Sequence, residues 1–164
     1  LIDKHAQHGN PEAFEFAKPN MKGYNYSFSG LKTSILYFLQ NQEKLNPKFI
    51  EENLNDLCAS VQRSIVNVLF QKVCKAAKEL GIKEIAIAGG VSANSEIRTR
   101  LIEEGKQRAW NVFIPKFEYC TDNAAMIAIT GFFMHQAGMH ADQSVSAQAR
   151  IPFAPRSTSA SQKN

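Results

Sequence analysis

The sequence predicts an α/β domain in which two short strands run parallel. Helical periodicity dominates the chain, with apolar residues spaced by three and four between positions 47 and 80. Two short apolar runs, 84–88 and 112–114, are typical of strands, and a helical run at 93–104 separates them. A strand–helix–strand order of this kind is the signature of a parallel pair. Because a sheet of two or three strands is thin, we expect further strands from elsewhere in the chain or from another subunit.

The N-terminal region is predicted as a helix end, a loop, a strand and a helix. Gly9 is typical of the position just after a helix, so we expect the first helix to end there. Residues 10–23 contain two prolines and no apolar period, which indicates a loop. Aromatic and polar residues alternate over 24–28, a pattern that favours a short strand. A short amphipathic helix follows over 31–40.

The remaining boundaries follow from capping residues and breakers. Asn46 is predicted to cap the long helix that begins at Pro47, and Gly81 ends that helix. The dipeptide 121–122, Thr-Asp, is expected to begin the last helix, which runs to about Ala137. Residues 1–140 are therefore expected to form the folded region. Residues 141–164 are rich in Ser, Gln and Ala, and we expect a disordered or interaction tail there.

Length, charge and cysteine content indicate the class of protein to which this chain belongs. The chain has 164 residues, one ordinary domain by length, and it begins with Leu1, so we expect it to be part of something longer. A net charge of +4 allows a nucleic-acid partner without requiring one. The three cysteines include no CxxC pair, which predicts reduced thiols in a cytoplasmic protein. No run of 18 apolar residues is present, so no membrane span is predicted.

A bare glycine turn is the first candidate for chemistry. The stretch AGGVSAN, residues 88–94, follows a predicted strand and opens a predicted helix. Gly89 and Gly90 would let a ligand touch the backbone, and the helix N-terminus would favour a phosphate or a nucleoside edge. The alternative is a tight strand-to-helix turn in which Ser92 or Asn94 only caps the helix. The local pattern does not decide between them.

In two further stretches, the local sequence favours a purely structural role over a functional one. In CTDNAAM, residues 120–126, Asp122 is either a helix cap or a ligand for a metal or a metal-bound phosphate. In SFSGLKT, residues 27–33, Lys32 would suit an anion, but the P-loop spacing is absent. His5 and His8 are three residues apart and are more typical of a solvent-exposed helix end than of a metal site.

Taken in order, three stretches resemble the TsaD family, the tRNA threonylcarbamoyladenosine-forming transferases once called O-sialoglycoprotein endopeptidases or glycoproteases. They are FSGLKT at 28–33, AGGVSAN at 88–94 with Arg98 after it, and CTDNAAMIA at 120–128. The resemblance covers about residues 1–138 and corresponds to the C-terminal half of the family. It implies the actin, sugar-kinase and Hsp70 ATPase fold, which is ribonuclease H-like. This chain would supply the second domain and a helix that returns to the first.

The resemblance also implies roles for individual residues. Asp122 matches a metal-ligand aspartate that binds iron or zinc together with two histidines of an HxxxH motif. No HxxxH occurs here, so we expect an incomplete metal site. Asn94 matches a residue that contacts the adenylate, and Gly89 and Gly90 match the glycines on which that nucleotide lies. Asp3 matches an acidic residue that holds the ribose hydroxyls. No catalytic residue is assigned.

The activity implied is transfer of a threonylcarbamoyl group from threonylcarbamoyl-AMP to the adenosine next to the anticodon of tRNAs that read codons starting with A. The implied partners are tRNA, a paralogous subunit and a small ATPase of the same pathway, with self-association of the chain at an exposed sheet edge. We expect this chain to be inactive alone. The alternatives are a non-catalytic nucleotide-binding or scaffolding partner of the same family, and a metallopeptidase, for which the sequence offers no HExxH motif.

Overall fold

A computed structural model describes residues 1–18, 21–147 and 149. The described residues divide into two compact units, of which the first is Leu1–Asp122 and the second begins at Asn123. The first unit contains the helices α1 (Ile2–Ala6), α2 (Ser29–Leu45), α3 (Phe49–Glu52), α4 (Leu54–Leu80) and α5 (Ser95–Arg108), and the strands β1 (Glu84–Ala86) and β2 (Asn111–Phe113). Two 3-10 turns, Gly90–Ala93 and Phe117–Tyr119, follow the strands. The second unit contains α6 (Ala124–Gln136). The α/β class is confirmed.

Strands β1 and β2 pair in parallel, as the sequence predicts. The register places Ile85 opposite Val112, and both side chains are half-buried. The backbone pairing continues past the strands, because the Ile87 N–H donates to the Phe113 carbonyl at 3.1 Å. Each strand has three residues, so β1 is shorter than the predicted 84–88 and β2 begins one residue before the predicted 112–114.

The core of the first unit lies between α4, α5 and this strand pair. Val66 and Phe70 from α4 pack with Ile97 and Leu101 from α5, and all four are buried. The half-buried residues of both strands pack against this cluster. Gly105 permits the close approach of α5 to β2, since a Cβ atom at this position would lie 2.5 Å from Cγ2 of Val112. The C-terminal part of α5 is thereby packed closely on β2.

The first helix differs from the prediction. Helix α1 ends at Ala6 with Gln7 as its C-cap, so Gly9 does not end it. Gly9 instead lies against α4, where a Cβ atom would approach the Asn55 carbonyl oxygen to 2.1 Å. The His5 Nδ1 atom also lies 2.9 Å from Asn55 Oδ1. The glycine is therefore required for close packing on α4 rather than for a left-handed cap.

Residues 24–28 do not form the predicted strand. The Tyr24 hydroxyl donates to Glu79 at 2.8 Å, and the Tyr26 hydroxyl donates to the Leu69 carbonyl at 3.3 Å. The alternating aromatic residues thus pack on helix α4 instead of pairing with a strand. The Lys72 ammonium, which is buried, donates to the carbonyls of Met21 and Gly23 and holds the preceding turn on the same helix.

The helical region 47–80 is divided at Asn53, whose φ of −116° and ψ of 18° are not helical. Asn46 accepts a hydrogen bond from the Lys48 N–H at 3.0 Å and thereby fixes the turn before α3. Gly81 ends α4 in the left-handed conformation, with φ 67°, as predicted. Helix α2 is longer than predicted, since it spans Ser29–Leu45 rather than 31–40.

The last helix begins later than predicted. Asn123, not Thr121 or Asp122, is the N-cap of α6, and its side chain accepts from the Met126 N–H at 3.1 Å. Helix α6 carries no buried residue, and its apolar side chains are exposed within its own unit. In the predicted tail, the Asp142 carboxylate accepts from the Ser144 N–H at 2.8 Å. Residues 148 and 150–164 of that tail lie outside the described part of the chain.

A buried carboxylate on α5 accepts hydrogen bonds from two arginine side chains of the same helix. Glu104 is 6% exposed and accepts from Arg100 Nε at 2.9 Å and from Arg108 Nε at 2.6 Å. Burial raises the pKa of the Glu104 carboxyl, but the hydrogen bonds from Arg108 and Arg100 outweigh it and leave this pKa below its ordinary value. The Cys74 thiol lies 3.6 Å from Oε2 of Glu104. The pKa of this thiol is raised, and burial is the largest cause. The Cys74 side chain packs against the core cluster formed by α4 and α5.

Glu104→Gln is expected to lower the free energy of unfolding at pH 7 by about 1–2 kcal/mol, because two charge-assisted hydrogen bonds are weakened. The lowered pKa of Glu104 in the folded state gives the wild type stability above the ordinary carboxyl pKa of 4.5 that is lost as the pH falls below it. Urea denaturation at pH 7 and pH 3.5 should show a smaller pH dependence in the variant. Glu103→Gln, at an exposed neighbouring position, is the control. Equal pH dependence in both variants would contradict this account.

Candidate functional site

The candidate site lies at the edge of the sheet where both parallel strands end. The turn after β1 and the loop after β2 are brought together there, because parallel strands present their carboxyl ends at one edge. Two of the three family-like stretches, AGGVSAN and CTDNAAMIA, begin in these two segments. The geometry of the site therefore follows from the pairing of β1 with β2.

The turn after β1 exposes bare backbone. Gly89 has φ 79° and ψ 175°, a conformation that only glycine adopts readily. A Cβ atom at either Gly89 or Gly90 would meet nothing within 4 Å, so the outer surface of the turn is open. Ser92 is buried, and its hydroxyl donates to the Gly89 carbonyl at 2.7 Å. The Ser92 hydrogen bond thus stabilises the turn from its buried side, and the backbone on the opposite side is open.

Asp3 and Asn94 contact each other at the start of α5, although they are 91 residues apart in sequence. Asn94 Oδ1 accepts from the Ile97 N–H at 3.0 Å and caps the helix, as one interpretation of the sequence predicts. Asn94 Nδ2 donates to Asp3 at 3.2 Å and to Gln62 Oε1 at 2.7 Å. The Asp3 carboxylate also accepts from the Ser95 hydroxyl at 2.7 Å.

These contacts change what the N-terminus of α5 offers a ligand. The sequence predicts free N–H groups there, but the Ser95 N–H donates to the Asp3 carboxylate at 3.2 Å, and Asn94 occupies the Ile97 N–H. A carboxylate of the protein itself therefore lies where a phosphate was expected. Gln62, a buried residue of α4, fixes the orientation of the Asn94 amide. Sequence reasoning missed Gln62, because nothing in the spacing within α4 distinguishes it.

Arg98 joins the two segments that follow the strands. Its Nε donates to the Ser92 carbonyl at 2.6 Å, and its Nη2 donates to the Pro115 carbonyl at 2.7 Å. Nη2 also lies 3.1 Å from the sulfur of Cys120, and the guanidinium covers the Phe117 ring at 4.0 Å. The Arg98 position was noted in the sequence, but these contacts depend on the fold.

Asp122 is exposed at the end of the same loop, two residues after the buried Cys120. Within residues 1–18, 21–147 and 149, no three His, Cys, Asp or Glu side chains cluster as a metal site would require. His5 and His8 therefore belong to no such cluster. The residues present do not fit a complete metal site, and Asp122 would supply a single ligand.

The FSGLKT stretch lies beside the glycine turn. Ser29 begins α2, and its carbonyl accepts from the Thr33 hydroxyl at 3.0 Å. An apolar groove of about 580 Å³ separates α2 from α4 and reaches Val91 of the turn; it is lined by Phe28, Leu31, Lys32, Ile35, Ile65, Leu69 and Val91. The structure thus brings this stretch next to the AGGVSAN turn.

Comparison with known proteins identifies the family of this chain. The TsaD family, described as tRNA N6-adenosine threonylcarbamoyltransferase, matches residues 1–129. The chain belongs to the TsaD family. This confirms the family that the three stretches resemble.

Individual relatives support the same assignment. A protein named tRNA N6-adenosine threonylcarbamoyltransferase from Riemerella anatipestifer is 56% identical over 150 residues, which are 92% of this chain and 44% of that relative. A protein of the same name from Christiangramia forsetii is 54% identical over 153 residues, 93% of this chain and 45% of the relative. The TsaD chain described here thus spans less than half the length of these curated relatives.

The structure describes residues 1–18, 21–147 and 149 of this TsaD chain. None of the helices in this part is both long and apolar enough to cross a membrane.

Asn94→Asp is expected to destabilise this TsaD chain by about 1–3 kcal/mol, although Asn and Asp are equally good N-caps. The substitution keeps the acceptor for the Ile97 N–H but removes the donor to Gln62 and places a second carboxylate against Asp3. Urea denaturation at pH 7 measures the loss. The double variant Asp3→Asn, Asn94→Asp should recover part of it, because the like charges are removed. Equal stability of wild type and Asn94→Asp would contradict the contact.

Proposed function

We propose that the full-length gene product, meaning this sequence with any residues that precede it in its reading frame, is a tRNA N6-adenosine threonylcarbamoyltransferase. It transfers the threonylcarbamoyl group from threonylcarbamoyl-AMP to the adenosine next to the anticodon of tRNAs that read codons starting with A. The observation that carries the proposal is the open glycine turn beside Asp3 and Asn94 in a chain of the TsaD family.

The proposed reaction is an acyl transfer from a mixed anhydride. The exocyclic N6 of the adenosine attacks the carbamoyl carbon of threonylcarbamoyl-AMP and forms a C–N bond. The bond between that carbon and the phosphate oxygen breaks, and AMP leaves with the electron pair. N6 loses one proton, which passes to the solvent. Positioning of the two substrates is the main contribution that binding residues make to such a step.

The chain contributes a surface for the adenylate. The backbone at Gly89 and Gly90 is open to a flat or charged ligand. The Asp3 carboxylate is an acceptor only, and ribose hydroxyls are donors that suit its remaining lone pairs. Because both Nδ2 hydrogens of Asn94 are engaged by Gln62 and Asp3, we propose that Asn94 meets the adenylate through Oδ1 or orients Asp3 toward it.

Asp122 is proposed as one ligand of a divalent metal ion, iron or zinc. Its support is the family resemblance together with its exposure at the strand-end edge. The other ligands would come from outside the described residues. Such an ion polarises and orients an activated acyl group.

The remaining features of the proposal rest on the family alone. They are a paralogous partner subunit and a small ATPase of the same pathway. The cytoplasmic location also rests on the three cysteines without a CxxC pair, and self-association rests on an exposed sheet edge. The second candidate function is a non-catalytic nucleotide-binding or scaffolding subunit of the same family. The open glycine turn supports nucleotide binding in this function as well.

Asp122→Ala in the full-length gene product is expected to reduce threonylcarbamoyl transfer at least about 100-fold, because one ligand of the proposed metal ion is removed. Stability should change little, since the side chain is exposed. Mass spectrometry of nucleosides from tRNA treated with threonylcarbamoyl-AMP and the pathway partners measures transfer. Glu118→Ala, an exposed carboxylate in the same loop, is the control.

Three results are informative. Full transfer by Asp122→Ala would remove this residue from the metal site. A loss of transfer matched by a fall in melting temperature would make it a structural residue. AMP binding by the wild type without any tRNA modification would favour the scaffolding function.

A further inference from the structure

The loops that follow β1 and β2 are connected through one side chain of α5. Nε of Arg98 donates to the carbonyl of Ser92 at 2.6 Å, and Nη2 donates to the carbonyl of Pro115 at 2.7 Å. Nη2 also contacts Cys120, which is 2% exposed, and the guanidinium lies 4.0 Å above the ring of Phe117. One guanidinium therefore satisfies two backbone carbonyls on different segments and packs against two side chains.

The positions of these contacts give them a functional meaning. Ser92 lies in the glycine turn, and its hydroxyl supports Gly89. Cys120 lies two residues before Asp122. We infer that Arg98 is a positioning residue that sets the place of Asp122 relative to the glycine turn. This inference rests on the proposed function, in which the turn carries the adenylate and Asp122 holds an ion.

The chemistry of arginine explains why this residue type is required. A guanidinium is planar and presents five N–H donors in a fixed fork, so it can donate to several acceptors while its face lies on an aromatic ring. A lysine ammonium keeps the charge but is a compact point donor on a flexible stem. Arg98→Lys should therefore preserve the electrostatics of the site and lose the connection between the two segments.

The other arginines of α5 differ from Arg98. Arg100 donates to Glu104 on the same helix at 2.9 Å, and Arg108 donates to the same carboxylate at 2.6 Å. Both contacts are made between residues four apart, within one helix. Arg100→Lys is thus a matched control, since it shortens a hydrogen-bonded arginine on the same helix without touching either strand-end segment.

The first test compares steady-state kinetics of the full-length gene product. Arg98→Lys is expected to lower kcat about 100-fold, the loss that a misplacement of about 1 Å produces. The KM for threonylcarbamoyl-AMP should change little, because the glycine turn and Asp3 remain. Arg100→Lys should leave kcat and KM near their wild-type values. An unchanged kcat in Arg98→Lys, or an equal loss in both variants, would overturn the inference.

The second test measures the loop directly and does not depend on activity. Labelling of thiols by a maleimide, followed by peptide mass spectrometry, reports the exposure of each cysteine. Arg98→Lys should accelerate labelling of Cys120 at least about tenfold, since the loop opens more often. Cys58 and Cys74 should label at wild-type rates. No change at Cys120, or equal acceleration at all three cysteines, would contradict the role of Arg98.

Failure of the proposed function can be distinguished from failure of the role inferred for Arg98. Absence of product with the wild type would overturn the proposed function, and the inference with it. A wild type that modifies tRNA together with an equally active Arg98→Lys variant would overturn only the role of Arg98.

Discussion

The parallel pairing of β1 with β2 is the constraint on which the candidate site depends. With Ile85 opposite Val112, both strands point their carboxyl ends at one edge, and the segments that follow must meet there. The buried cluster of α4 and α5 holds this register, because a slip by one residue would turn the buried face of either strand to solvent. Six backbone positions thus decide where two distant stretches of sequence come together.

A second consequence concerns electrostatics. Helix N-termini attract anions, and in this chain the Asp3 carboxylate already lies at the start of α5. Asn94, oriented by Gln62, completes this arrangement. The helix end is therefore satisfied within the protein, and the open backbone of Gly89 and Gly90 is the surface left for a ligand. A phosphate approaching this edge would also meet the negative charge of Asp3, which disfavours an anion at that point.

The sequence predicted the class of fold and the parallel pair because these depend on local periodicity and on breakers such as Gly81. It failed at 24–28, where alternating aromatics pack on α4, since periodicity does not report the partner that buries a side chain. The contact of Asp3 with Asn94 and the contacts of Arg98 also lay beyond sequence reasoning. They join residues that are adjacent only after folding. The family stretches indicated a candidate site, but not the hydrogen bonds within it.

The most direct test of this account is calorimetric titration of AMP into the full-length gene product and its Gly90→Ala variant. An added Cβ at Gly90 meets nothing within 4 Å and the residue has no positive φ, so the fold should be unchanged. If the adenylate lies on this backbone, the methyl group occupies its place. The account predicts AMP binding by the wild type and an affinity at least about tenfold lower in the variant, with an equal melting temperature. Equal AMP affinity in both proteins, or no binding to either, would contradict it.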